Sequence, residues 1–442
     1  MLSSEREAGG ERGFKQEEAD PTIITRESRD RHRVVITGMG AITPCGLTVE
    51  EYWQNLVAGV SGCGPITQFD TTGFPTTIAA EVKGFDPLNY IEPKEARRMS
   101  RVVQFAIAAS RMALDQSGLK ITDSNAHDVG VIIGSGIGSL TTTERECKVM
   151  FDRGGMRINP FFLPMMLPNM SAAQVSRLFG AKGYNISVVT ACASGGHAIG
   201  EAVEVIRRGA ADAVIAGGSE ASICALGLAS FCVIKALSQR NDQPEKASRP
   251  FDLNRDGFVP AEAAGILILE SLEHALRRDA PILAEIVGYG ATCDAYHVVA
   301  PEPEAVGIAE AMRRALKDAR LDPTEVDYVN AHATSTEVGD AAETVGIKKV
   351  FGEHAHKLVV SATKSIIGHS IGAAGGVELI ACIKSILEGI VHPTINYETP
   401  DPTCDLDYVP NVARRMKVDV AMSNSFGFGG QNASLIVRRF DL

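Results

Sequence analysis

Two hydrophobic periods divide this chain. Short runs of consecutive apolar residues, DVGVIIGS (128–135), AVIAGG (213–218), GILILE (265–270) and LIVRR (435–439), have the length and β-branched character of buried strands. Stretches such as RMALDQSGL (111–119) and RRALKDARL (313–321) instead close amphipathic helices. Their alternation predicts an α/β protein with mixed sheets.

One plan is written twice. The strand RVVITGMGAIT (33–43) returns as AEIVGYGATC (284–293), so that Gly38, Gly40 and Ala41 match Gly288, Gly290 and Ala291. Each copy is followed by a helix and then a strand, DVGVIIGS in the first and EVDYVNAH (325–332) in the second. An internal duplication of about 200 to 250 residues is expected, with a half at 32–280 and a half at 281–442. Residues 1–31 carry mixed charge and few large apolar groups, which predicts a flexible extension.

Composition narrows the function. The chain has 442 residues, 45% hydrophobic and 22% charged, with a net charge of −11, so no global cationic field gathers nucleic acid. No apolar run reaches the roughly 18 residues of a membrane span. Nine cysteines without paired spacing fit reduced thiols and a cytoplasmic location better than disulfides or zinc. Neither GMGAITPCG (38–46) nor GSGIGSL (134–140) meets the dinucleotide pattern, and no phosphate-binding loop motif occurs, so NAD and ATP are not expected. No metal and no resident cofactor are expected.

Candidate chemistry lies in four segments. In VVTACASGGHAIGEAVEVIRRG (188–209), Cys192 stands where a strand gives way to a helix among small residues. A helix N-terminus favours thiolate there, although a buried structural cysteine fits the segment alone equally well. His332 lies in YVNAHATSTEVGD (328–340), beside Thr334 and Thr336, and His369 in SATKSIIGHSIGAAGGVE (361–378), five residues after Lys364. The glycines of MSNSFGFGGQN (422–432) suit a tight turn or a loop that exposes backbone N–H groups.

Taken together and in this order, TACASG, NAHATST, TKSIIGHS and NSFGFGG resemble the β-ketoacyl-acyl carrier protein synthases of the KAS I/II type, from about Arg33 to Arg439. The resemblance implies a thiolase-like fold, two duplicated α/β halves in a five-layered α-β-α-β-α arrangement. It implies Cys192 as the nucleophile that takes the acyl group, and His332 and His369 as the groups that assist decarboxylation of a malonyl thioester. Lys364 would fix the local field or pair with Glu343 or Glu378, and Asp340, Glu343 and Glu378 would support the site. Backbone N–H groups of Cys192 and Phe428 would form an oxyanion hole. Thr334 and Thr336 would contact pantetheine, which arrives on the carrier protein, while Ile137, Phe162, Phe231 and Phe428 would line or gate the acyl pocket.

An acidic carrier protein needs a basic patch on an acidic enzyme. Lys94, Arg97, Arg98 and Arg101 in EPKEARRMSRVVQ are spaced for one helix face, with Lys235 a further member. A homodimer is implied. Ala333, Gln431 and the segment GFVPAEAAG (257–265) depart from the commonest bacterial pattern. A degradative thiolase would carry a second cysteine where NSFGFGG stands, an initiating synthase lacks the second histidine, and a chain-length factor lacks the cysteine. A condensing enzyme of a type II polyketide pathway remains the alternative.

Overall fold

The computed structural model describes residues 32–441; the extension expected at 1–31 lies outside the described residues. Ten strands form the main sheet. The first five are β1 (Val34–Ile42), β2 (Val129–Gly134), β3 (Asn185–Val188), β4 (Ala213–Glu220) and β5 (Ala263–Ser271). The second five are β6 (Ala284–Cys293), β7 (Tyr328–Asn330), β8 (Val359–Ser361), β9 (Val420–Gly427) and β10 (Gln431–Arg438).

Their order across the sheet is β8-β7-β9-β10-β6-β1-β5-β4-β2-β3, which reads the same from the centre outwards when each strand is matched with the one five later. Parallel and antiparallel pairings match as well. The join is short: Val34–Ile36 pair with Ala284–Ile286.

Six helices complete the layers: α1 (Arg101–Ser117), α2 (Met170–Phe179), α3 (Ser194–Arg207), α4 (Val306–Ala319), α5 (Glu337–Phe351) and α6 (Ala374–Glu388). α1 and α2 pack on the outer face of the first half, α4 lies on β6 and β10 with α5 beside it, and α3 and α6 meet between the two halves. The repeated glycines allow this packing. A Cβ on Gly38 or Gly40 would strike the carbonyls of Ala113 and Ala109 in α1, and one on Gly288 or Gly290 those of Ala315 and Ala311 in α4. In the middle, Gly195 faces Gly372, Gly375 and Gly376, so the two central helices approach backbone to backbone.

The strand register equates residues between halves. Gly38 pairs across to Ile268 and onward to Ile215; its repeat partner Gly288 pairs to Ile436 and onward to Met422. Counting along β4 and β9 from there matches Glu220 with Gly427. Ahead of the central helices, the turn Ala191–Ala193 likewise matches Ile371–Ala373, and Cys192 matches Gly372.

Candidate active site

Cys192 sits in the turn between β3, which ends at Val188, and α3. The corner is sharp: Ala191 has φ +48°, and the Ser194 hydroxyl accepts from Thr190 N–H (2.9 Å) and donates to the Ala191 carbonyl (2.6 Å). The Cys192 sulfur lies 2.9 Å from His369 Nε2. Backbone N–H groups of Phe428 and of Cys192 itself face the sulfur. Burial nevertheless pushes the thiol up to about 12, against the pull of Lys364 and those two N–H groups. The resting group is therefore a thiol, not the thiolate that the helix N-terminus alone predicts.

His332 lies two residues beyond the end of β7. Its N–H and that of Ala333 donate to the two oxygens of Glu343 on α5, at 2.9 and 2.8 Å, and Asn424 Nδ2 donates to the same carboxylate at 3.2 Å. His369 stands beyond the helical turn Lys364–Ile367 that follows β8. Its backbone is gripped by GFVPAEAAG: His369 N–H donates to the Val259 carbonyl (2.7 Å) and Ala261 N–H to the His369 carbonyl (3.0 Å). The Phe258 ring meets the imidazole edge-on at 5.2 Å. That departure from the common pattern thus holds a histidine of the site in place.

The imidazoles of His332 and His369 lie 5.4 Å apart at 88°. Burial, with the positive charge of Lys364, holds both well below the ordinary histidine range, so both are neutral at physiological pH. Lys364 is itself buried and ion-paired with Glu378, not with Glu343. Burial raises Glu378 and Asp340 each to about 7. Asp340 accepts from the N–H groups of Phe251 (2.8 Å) and Ser335 (3.1 Å), which secures the loop after His332.

A cavity of about 300 Å³ opens onto Cys192, His332 and His369. Thr334 and Thr336, whose hydroxyls lie 3.1 Å apart, line it together with Phe231, Phe428 and Ile371. Phe428 sits in the tight turn between β9 and β10. Ile137 and Phe162 do not line this cavity. Ile137 belongs to the segment behind Ile371, and Phe162 opens a separate short helix, Phe162–Met166.

The basic residues separate into three places. Lys94, Arg97 and Arg98 border a shallow depression with Asn159 and Phe161, the Arg98 guanidinium 4.4 Å from the centre of the Phe161 ring. Arg101 does not join them. The helix Pro93–Ala96 ends before α1 begins, so the spacing does not run along one helix. Arg101 turns inward to the buried carboxylate of Glu262, at 2.8 and 3.0 Å. Lys235 lies at the cavity instead.

Three neighbours of the site went unread in the sequence: Phe258, Ile371 and Glu220. Ile371 is a β-branched residue at φ +46°, a conformation such side chains avoid. Glu220 is a buried carboxylate raised by burial to about 7. Its signal was a single charge ending an otherwise small and apolar strand. Among the described residues no group of three or more His, Cys, Asp or Glu is placed to hold a metal ion, and no helix is long and apolar enough to cross a membrane.

Comparison with known proteins agrees with this arrangement. A family model for the N-terminal domain of β-ketoacyl synthases matches residues 31–275, and one for the C-terminal domain matches 283–398. The 3-oxoacyl-[acyl-carrier-protein] synthase 2 of Coxiella burnetii is 50% identical over 93% of this chain and 99% of its own length. The protein of the same name from Staphylococcus aureus is 51% identical over 92% of this chain and 99% of its own. Among solved structures, the ishigamide ketosynthase/chain length factor superposes with a TM-score of 0.87 at 38% identity, covering 93% of this chain and all of the other. A type II polyketide ketosynthase in complex with its acyl-carrier protein superposes at 0.85 with 36% identity and the same coverage. Both domain models and relatives of matching length at half identity place the chain in the β-ketoacyl synthase family.

Proposed function

We propose that the protein is an elongating β-ketoacyl-acyl carrier protein synthase of the KAS II type. It joins an enzyme-bound acyl group to malonyl-acyl carrier protein by decarboxylative Claisen condensation and lengthens a fatty acid by two carbons. The observation that carries this is a buried thiol 2.9 Å from one neutral imidazole, with a second neutral imidazole beside it, in one cavity.

The chemistry follows from the protonation states. Cys192 attacks the acyl thioester as His369 Nε2 takes its proton, so a buried, uncharged pair becomes nucleophilic only when substrate is present. The carbonyl oxygen accepts from the N–H groups of Cys192 and Phe428. The tetrahedral species then expels the pantetheine thiolate, which receives the proton and leaves as a thiol.

The malonyl thioester next loses CO2, and its electron pair passes to the thioester oxygen. N–H groups of His332 and His369 meet that charge; one such preorganised donor is worth about 3 to 4 kcal/mol. Burial first, and the charge of Lys364 with it, keeps both imidazoles neutral, so they meet the enolate as N–H donors. The carbanion carbon attacks the acyl carbonyl, the C–S bond breaks, and the Cys192 thiolate that leaves takes up one proton from solvent.

Thr334 and Thr336 bind pantetheine, which the carrier protein brings covalently, so no resident cofactor enters the scheme. Lys94, Arg97 and Arg98 receive the acidic carrier protein and Lys235 guides its arm. The enzyme works in the cytoplasm as a homodimer. Support for a dimer comes from β3, an edge strand paired only with β2 among the described residues, flanked by Val189 at 53% exposure.

Decanoyl- and malonyl-carrier protein should give a 3-oxododecanoyl product with the protein and none with Cys192→Ala. Acylation without an extended product would favour the polyketide reading, which the solved neighbours at 36–38% identity support less than relatives at 50% support this one. Reversing Arg97 and Arg98 to glutamate should slow turnover of carrier-protein substrate about tenfold at low salt and spare a small thioester mimic; equal losses would refute docking there.

A further inference from the structure

The mechanism leaves Glu220 without a task, yet its side chain is fully buried and heavily engaged. One oxygen, Oε2, accepts three backbone N–H groups: Gly136 at 2.7 Å, Gly372 at 3.2 Å and Ile137 at 3.3 Å. The other, Oε1, accepts from the Ser135 hydroxyl at 3.3 Å.

The duplication explains the arrangement. Glu220 matches Gly427 by strand register, and Gly372 matches Cys192. At the catalytic corner a Cβ on Gly427 would come within 2.7 Å of the Thr190 carbonyl and 3.2 Å of Cys192 N. Glycine there leaves the Cys192 N–H free for a substrate oxygen. At the matching corner, the N–H of Gly372 points at a carboxylate oxygen supplied by the protein itself.

Glu220 also joins the halves behind the cavity. It ties Gly136 and Ile137 of the first half to Gly372 of the second, next to Ile371, whose φ of +46° is a conformation that β-branched residues avoid. Ile371 lines the cavity beside Cys192, and its Cγ2 lies where a Cβ on Gly136 would come within 2.5 Å. It is therefore a wall between the reacting sulfur and the segment carrying Ile137.

We infer that Glu220 is a positioning residue: it fills the duplicated oxyanion corner and fixes Ile371 as a wall of the acyl cavity, which selects the acyl chains that pass beyond the wall. This rests on the acyl-transfer reading above. Above pH 7, where Glu220 is ionised, a neutral amide grips three N–H groups less strongly than its carboxylate does, so Ile371 relaxes and its side chain shifts. Long chains that reach past the wall suffer, and short ones do not.

The test uses the full-length protein and Glu220→Gln, measuring Cys192 acylation by intact mass with hexanoyl- and tetradecanoyl-carrier protein. The ratio of long-chain to short-chain rates should fall about five- to tenfold, the size expected when charge-assisted bonds become neutral ones. An unchanged ratio in a variant that melts cooperatively overturns the proposal. Should Glu220→Gln fail to fold, Ser135→Ala removes one donor to the same carboxylate. There a fall in the ratio supports the proposal and an unchanged ratio overturns it. Wild type that accepts neither chain would instead overturn the acyl-transfer reading, and this proposal with it.

Discussion

The turns Ala191–Ala193 and Ile371–Ala373 are one backbone used twice. Each starts with a non-glycine residue at positive φ, +48° and +46°, and each delivers the chain into a central helix. At the first the middle residue is a cysteine and the facing strand ends in glycine; at the second the middle residue is glycine and the facing strand ends in Glu220. The same N–H geometry is left open in one copy and closed by a carboxylate in the other. Oxyanion-binding backbone is thus a property of the fold, whereas activity needs a nucleophile and an unfilled position beside it.

Removing the nucleophile breaks the comparison most severely. Cys192→Ala should abolish acyl-enzyme formation and lower condensation by on the order of a thousandfold or more, measured as product from acyl- and malonyl-carrier protein. Replacing His332 or His369 by alanine should cost on the order of 10² to 10³ in malonyl decarboxylation, because each removes one donor to the enolate.

Gly427→Ala makes the open corner resemble the closed one. Its methyl group would crowd the Thr190 carbonyl and Cys192 N, so the backbone must shift, acylation should slow by about a hundredfold and the melting temperature should fall. A variant with normal acylation would remove Cys192 N–H from the proposed oxyanion hole.

Reactivity sharpens the contrast between helix terminus and burial. A thiol pushed up to about 12 is still mostly protonated at pH 9, so alkylation of the Cys192 peptide by iodoacetamide should keep rising as pH increases past that point. A plateau near neutrality would mean that a thiolate–imidazolium pair prevails. The smallest effect concerns Ala333, at φ +23° after His332: Ala333→Gly should relieve strain and raise stability by less than about 1 kcal/mol, read by denaturant unfolding.

Much of this site was legible because its signals are local. Small residues around Cys192, the polar loop after His332 and the repeated glycines each declare a turn or a close approach within a few positions. What escaped depends on distant partners. Arg101 looked like a member of a basic face, but the helix is interrupted between Ala96 and Arg101, and its carboxylate partner lies 161 residues away. Glu220 meets donors 84 and 152 residues distant, so only the register across the duplicated sheet reveals its place. The upward push of burial on the Cys192 thiol escaped for a related reason. A helix terminus can be read from sequence, while desolvation is the sum of everything packed around the sulfur.

The most direct test of the account is to locate the acyl group. After incubation with decanoyl-carrier protein, peptide mass spectrometry should find the decanoyl mass on the peptide containing Cys192 and on no other cysteine peptide, and malonyl-carrier protein should then discharge it as a product two carbons longer. Acyl mass on another cysteine, or a Cys192 adduct that malonyl-carrier protein cannot discharge, would contradict the assignment of the open corner as the condensing site.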